Sequence, residues 1–173
     1  MIQETYTQII HQLKENIRPR IPLDNELYKE LSEHLESEVA PSEKVLCILC
    51  HLASPDQKLG NQLIKHLNPT LPHETQIFIL EAIQKHILDE RMISGDRLKP
   101  EFLKAFADYL AQAPKQALYF AIGIVESCGS QAIFFRKTIK SIKWGFLDAF
   151  KKEYRETIER IDNLEKRWQK LTK

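Results

Sequence analysis

Glycine is scarce in this chain, with five in 173 residues, and valine is scarcer still, occurring only at Val39, Val45 and Val125. Sheet-rich domains need many turns and favour β-branched residues, so these shortages argue against a β fold. The three cysteines are an odd number in a chain of this length. They do not make a disulfide framework, and a reducing, cytoplasmic location is the expectation. No apolar run reaches the roughly 18 to 20 residues that a membrane span needs, so no membrane partner is expected. The opening segment MIQETYTQIIHQLKEN has neither the basic start nor the short apolar block of a secretion signal. Charge of one sign is missing as well: 25 Lys and Arg stand against 24 Asp and Glu. That balance excludes a chain that is basic overall, and 43% apolar residues exclude a disordered one. The length fits a single domain, 1–173, with a core of its own.

What is present is helical periodicity. Ile2, Tyr6, Ile9, Leu13 and Ile17 step by three or four residues, as do Leu27, Leu31 and Leu35. Five of the eight prolines (Pro41, Pro55, Pro72, Pro100 and Pro114) stand just before polar residues and then an apolar helical pattern. Proline suits that place, because its fixed φ matches a helix and its missing N–H would have no partner in the first turn. Asp24 and Ser54 are candidate N-caps. The segment IRPRIP (17–22) predicts a stiff extended connector, since a residue before proline avoids the α region. The expectation is all-α: about nine antiparallel helices starting near residues 2, 24, 42, 55, 73, 100, 114, 131 and 146. They divide into an N-terminal hairpin (1–40), a helical-hairpin stack (41–143) and a long amphipathic capping helix (146–173).

Within the stack a strongly apolar helix alternates with a more amphipathic one: VLCILCHLA precedes KLGNQLIKHL, and ALYFAIGIVES precedes FFRKTIKSI. On that hairpin spacing, and on LEAIQKHI (80–87) and YFAIGIVESCG (119–129), the chain loosely resembles HEAT/armadillo-type α-solenoids. The resemblance implies a solenoid-like stack; an irregular helical bundle accounts for the same pattern.

Cys47-Ile48-Leu49-Cys50-His51 matches the C-x-x-C-H string of c-type haem attachment. That chemistry also calls for export and, usually, a distal Met or His. The only methionines here are Met1 and Met92. The string lies in a segment apolar on nearly every face, so Cys47, Cys50 and His51 are expected in the core, with no haem and no other cofactor. Cys47 and Cys50 share a helical face, but a closed zinc site needs two further ligands and no second Cys/His pair is evident, so no metal is expected. The six histidines form no H-E-x-x-H string, and no G-x-S-x-G or phosphate loop occurs. Nothing positive points to an enzyme.

Charge is placed unevenly. Residues 24–43 carry seven acids against Lys29 alone, and residues 134–173 carry twelve Lys and Arg against six acids. Between Glu126 and Asp148 there is no acid. Arg136, Lys140 and Lys143 step by four and three along one helical face with Lys137 beside them. Phe135, Ile139, Ile142 and Phe146 form the opposite face. These four basic residues are the candidate binding set, for phosphate groups of a nucleic acid or for an acidic protein. Leu147, Phe150, Tyr154, Ile158, Ile161, Leu164, Trp168 and Leu171 make a near-heptad seam, on a helix of about 26 residues or ~39 Å. Its large aromatics suit docking on the same chain as a cap, and a monomer. The function expected first is a non-enzymatic protein-interaction or scaffold module. Nucleic-acid binding through 136–143 comes second, and an enzyme or small-molecule binder with a site between helices third.

Overall fold

The computed structural model describes residues 1–171. The chain is all-α: 74% is helical, and among the described residues the only β pairing is an isolated bridge between Ile21 and Leu52. Among the described residues no helix is long and apolar enough to cross a membrane. The described chain divides into two compact units, one of residues 1–67 and 78–96, the other of residues 68–77 and 97 onward.

In the first unit, α1 (Ile2–Lys14) packs on α3 (Glu43–His51), and α2 (Asn25–Glu36) packs on α4 (Gln57–Leu63). Side-chain caps set the starts. Asp24 accepts a hydrogen bond from the Leu27 N–H at 2.8 Å, as expected, and Ser42 caps α3. For α4 the cap is Asp56, which accepts from the Leu59 N–H at 2.9 Å, and not Ser54. Asp56 takes the extended backbone of an N-cap, so the helix starts at Gln57 and Pro55 lies outside it. Helix α3 buries Val45, Leu46, Cys47, Ile48 and Leu49, as its apolar run requires. The stripe on α1 is less complete: Ile9 is fully buried, but Leu13 and Ile17 are exposed. Helix α5 (His73–Ile83), of which residues 78–83 belong to this unit, runs into a π-helical turn, Gln84–Asp89, and then α6 (Glu90–Ser94). Gly95, at φ +76°, ends α6 in the left-handed conformation that glycine adopts without a Cβ penalty.

The second unit contains α7 (Pro100–Leu110), α8 (Lys115–Ser127), a 3-10 stretch over Gly129–Phe135, α9 (Arg136–Ser141), a 3-10 turn over Asp148–Phe150, and α10 (Lys152–Leu171). Its core gathers Phe102, Phe106, Leu118, Ile122, Val125 and Phe135, with the Phe106 and Phe135 rings edge to face at 5.6 Å. Tyr109 donates to the Gln76 side-chain oxygen at 2.7 Å, and the Gln76 amide donates to the carbonyls of Leu71 (2.7 Å) and Pro69 (3.2 Å). A buried polar pair is thereby satisfied. Helix α10 packs on α8 with Tyr154, Ile161, Leu164 and Trp168 buried.

Two expectations about the C-terminal region are corrected. The last helix begins at Lys152 rather than near 146, and its 20 residues replace the expected 26 or so. Asp148 is the reason: its carboxylate accepts from the Gly145 N–H at 2.6 Å, a local side-chain-to-backbone bond that competes with helix formation. Leu147 and Phe150 therefore lie before α10 and are exposed, not part of its buried seam. Likewise α9 covers only six residues, and of the predicted apolar face Phe135 and Ile139 are buried while Phe146 is not. The side chain of Leu171 lies outside what the structure describes.

Candidate functional site

The four basic residues singled out in the sequence do not act as one exposed stripe. Arg136 and Lys140 lie on α9, and both reach the same carboxylate of Glu165 on α10, at 3.3 and 3.6 Å. Glu165 is 17% exposed and Arg136 25%, so this pair belongs to the α9–α10 contact. Lys137 is exposed on α9. Lys143 lies beyond the helix end, exposed, at the start of the loop leading to α10. Glu165 is 29 residues from Arg136 in sequence, and no local pattern links them.

That loop is the most exposed apolar feature of the second unit. Phe146, Leu147 and Phe150 are 86%, 66% and 76% exposed, and the two phenylalanine rings lie 6.0 Å apart. Its underside is tied down. Asp148 is buried; its carboxylate accepts from Gly145, pairs with Lys115 of α8 and lies 3.7 Å from Lys151. The Asp148 N–H returns a bond to the Gly145 carbonyl at 3.0 Å. The Trp144 ring rests 6.0 Å from that of Tyr154, with the Lys115 amine 5.9 Å from the Trp144 centroid. The Lys115 ammonium and the Gly145 N–H together hold the Asp148 carboxyl below the usual carboxylate range. The polar members of the loop thus face the protein and the apolar ones face outward. Lys143, Lys151 and Lys152, all exposed, flank these residues in sequence.

No family model, curated protein or solved structure matches this chain.

The C-x-x-C-H residues are less uniformly buried than their apolar surroundings imply. Cys47 is buried, whereas Cys50 and His51 are half-buried. Residues at the end of α3 are where the face of the helix turns outward. The Cys50 thiol donates to the Phe78 carbonyl at 3.6 Å, and His51 Nδ1 donates to the Cys47 carbonyl at 2.8 Å. Burial, with Glu81 and Cys47 adding, pushes the Cys50 thiol up to about 12, which keeps it protonated and a poor nucleophile. Among the described residues no three His, Cys, Asp or Glu side chains are placed to hold a metal ion together.

Sequence reading missed the two fully structural histidines. His66 Nε2 donates to the Leu35 carbonyl at 2.8 Å. His86 Nδ1 accepts from the Asp56 N–H at 2.8 Å, so Nε2 carries the proton and donates to the Leu49 carbonyl at 2.9 Å. Both partners lie some 30 residues or more away in sequence. Asp148 was missed as well, although a lone acid in a basic, aromatic segment was visible.

Proposed function

We propose that this chain is a non-enzymatic protein-interaction module. Its contact surface is the loop bearing Phe146, Leu147 and Phe150, and its partner is a protein segment that pairs apolar side chains with acidic ones. One observation carries the reading: three large apolar side chains, 86%, 66% and 76% exposed, sit on a loop fixed from below by Asp148. Exposed apolar groups that cluster and are rimmed by charge mark interaction sites on soluble proteins. A display that is already ordered loses little entropy on binding, and aromatic anchors supply much of the affinity in such contacts. Lys143 and Lys152, with Lys151 beside them, supply the complementary charge. The nucleic-acid alternative is supported less, since Glu165 neutralises part of the basic set that it would use. The helical-hairpin stack of HEAT/armadillo type remains part of the proposal as the scaffold for this loop.

The test is site-specific photocrosslinking in cells, with a benzophenone side chain at position 146 and, as control, at exposed Val39. A discrete adduct from position 146, lost when Leu147 and Phe150 become Ala, is expected. Absence of any adduct, or an adduct whose partner is a second 20.3 kDa copy of the chain, defeats the reading.

A further inference from the structure

A second, independent feature lies in the first unit. The connector between α1 and α2 is extended and pinned to the end of α3: the Ile21 N–H donates to the His51 carbonyl at 2.9 Å, and the Ala53 N–H donates to the Ile21 carbonyl at 2.7 Å. Side chains alternate along extended backbone. Pro19 and Ile21 are buried, which puts Arg18 and Arg20 together on the exposed side. Both border a cleft of about 360 Å³ whose wall also includes His51, Lys85, Asp89 and Ile93.

The cleft gathers positive charge with little to balance it. Among the described residues, Arg18 and Arg20 have neither an ion-pair nor a hydrogen-bond partner. Lys85 comes from the π-helical turn, a geometry often found at functional sites. Its ammonium donates to the carbonyls of Cys50, at 3.0 Å, and of Leu52, which leaves one N–H uncommitted. Burial lowers the affinity of Lys85 for its proton, with the charge of Arg18 adding, against the opposing effects of Cys50 and Asp89. Asp89 is the sole acid on the wall, and it accepts from the Gln84 amide at 2.9 Å. His51 spends Nδ1 on the Cys47 carbonyl, so Nε2 is its available nitrogen.

We infer that this cleft binds a small phosphorylated molecule, with the phosphoryl group between the Arg18 and Arg20 guanidinium groups and the Lys85 ammonium. Two guanidinium forks and an ammonium supply more charge and more donors than one carboxylate can satisfy. A phosphoryl group, with nearly two negative charges and three acceptor oxygens, matches them. The volume lies at the small end of ligand pockets, which favours a compact ligand over a polymer.

Isothermal titration of the full chain with inorganic pyrophosphate at low salt tests the inference, using wild type and the R18Q/R20Q double variant. Both arginines are exposed, so the double variant should keep the wild-type melting temperature. One site per chain is expected, at least tenfold weaker in the double variant and at least tenfold weaker for acetate than for pyrophosphate. R18K/R20K should fall between, because charge persists but the planar fork is lost. No heat at millimolar pyrophosphate, several sites per chain, or equal affinity of R18Q/R20Q and wild type would overturn it. So would tight binding of single-stranded RNA without binding of pyrophosphate.

Discussion

Gly60 of α4 lies against His86 of the π-helical turn so closely that a Cβ on Gly60 would stand 2.9 Å from His86 Cβ and 2.7 Å from Ile87 Cγ1. Real Cβ atoms do not approach that closely, and although Ile87 Cγ1 turns with χ1, His86 Cβ and the His86 carbonyl carbon at 3.3 Å are fixed by the backbone. Gly60→Ala should therefore destabilise the protein. Overpacking of about 1–3 kcal/mol opposes a helix-propensity gain of up to about 1 kcal/mol. Urea denaturation is expected to show a net loss; a stabilised variant would mean that the two segments separate easily.

His86 makes stability depend on pH in a predictable direction. Burial first, with Lys85 adding, lowers its pKa from the ordinary 6.5, against the hydrogen bond to Leu49 and the charges of Asp56 and Asp89. The unfolded chain then binds a proton that the folded chain refuses. The His86 contribution is fully present above about pH 6.5 and is lost as pH falls from there towards the lower folded pKa, by at most about 1.4 kcal/mol per pH unit. Nitrogen NMR of the imidazole at pH 7 should report a neutral ring protonated on Nε2. An imidazolium in the folded protein at that pH would contradict the assignment.

Asp148→Asn should loosen the loop that carries Phe146 and Phe150, because the Lys115 pair goes while the Gly145 contact can persist. The folded Asp148 pKa is depressed, so its contribution is present above its ordinary value of 3.8 and is lost as pH falls below that. The fluorescence of Trp144, which rests on Tyr154 and Lys115, is the readout, with Trp168→Phe as background to isolate it. An unchanged spectrum would show that Asp148 does not hold the loop.

Alanine substitutions around α10 should divide sharply. Trp168 and Leu164 are buried, and each replacement should cost about 2–5 kcal/mol. Leu147 and Phe150 are exposed, and replacing either should change stability by no more than about 0.5 kcal/mol. Chemical denaturation of the four variants checks this. A large loss at Phe150 would mean that the loop packs inward.

Arg136→Glu would face Glu165 with a like charge in a half-buried contact, and should cost about 1–3 kcal/mol. Lys143→Glu has no such neighbour and should be neutral in the same thermal melts. Equal behaviour of the two would return Arg136 to the exposed stripe that its spacing suggests.

The all-α class was legible because it depends on local physics. Glycine and valine scarcity, the three-to-four spacing of Leu27, Leu31 and Leu35, and the prolines ahead of α3, α4, α5, α7 and α8 each act within a few residues. The same locality made the 17–22 connector readable as extended. Partners chosen across 30 or so residues were not readable. Periodicity continued the last helix back to residue 146, but one carboxylate, Asp148, found Lys115 on α8 and Gly145 beside it, and the loop turned its apolar side outward. The spacing of Arg136 and Lys140 put them on one helical face, yet whether that face met water or Glu165 depended on where α10 packed, and Lys143 fell beyond the helix end. Arg18 and Arg20 were plain in the sequence, while the cleft they share with Lys85 exists only because the connector pairs with the end of α3 and a π-helical turn supplies Lys85 to its wall. Helix formation is decided by neighbours in sequence, and the exposure and pairing of charge by neighbours in space.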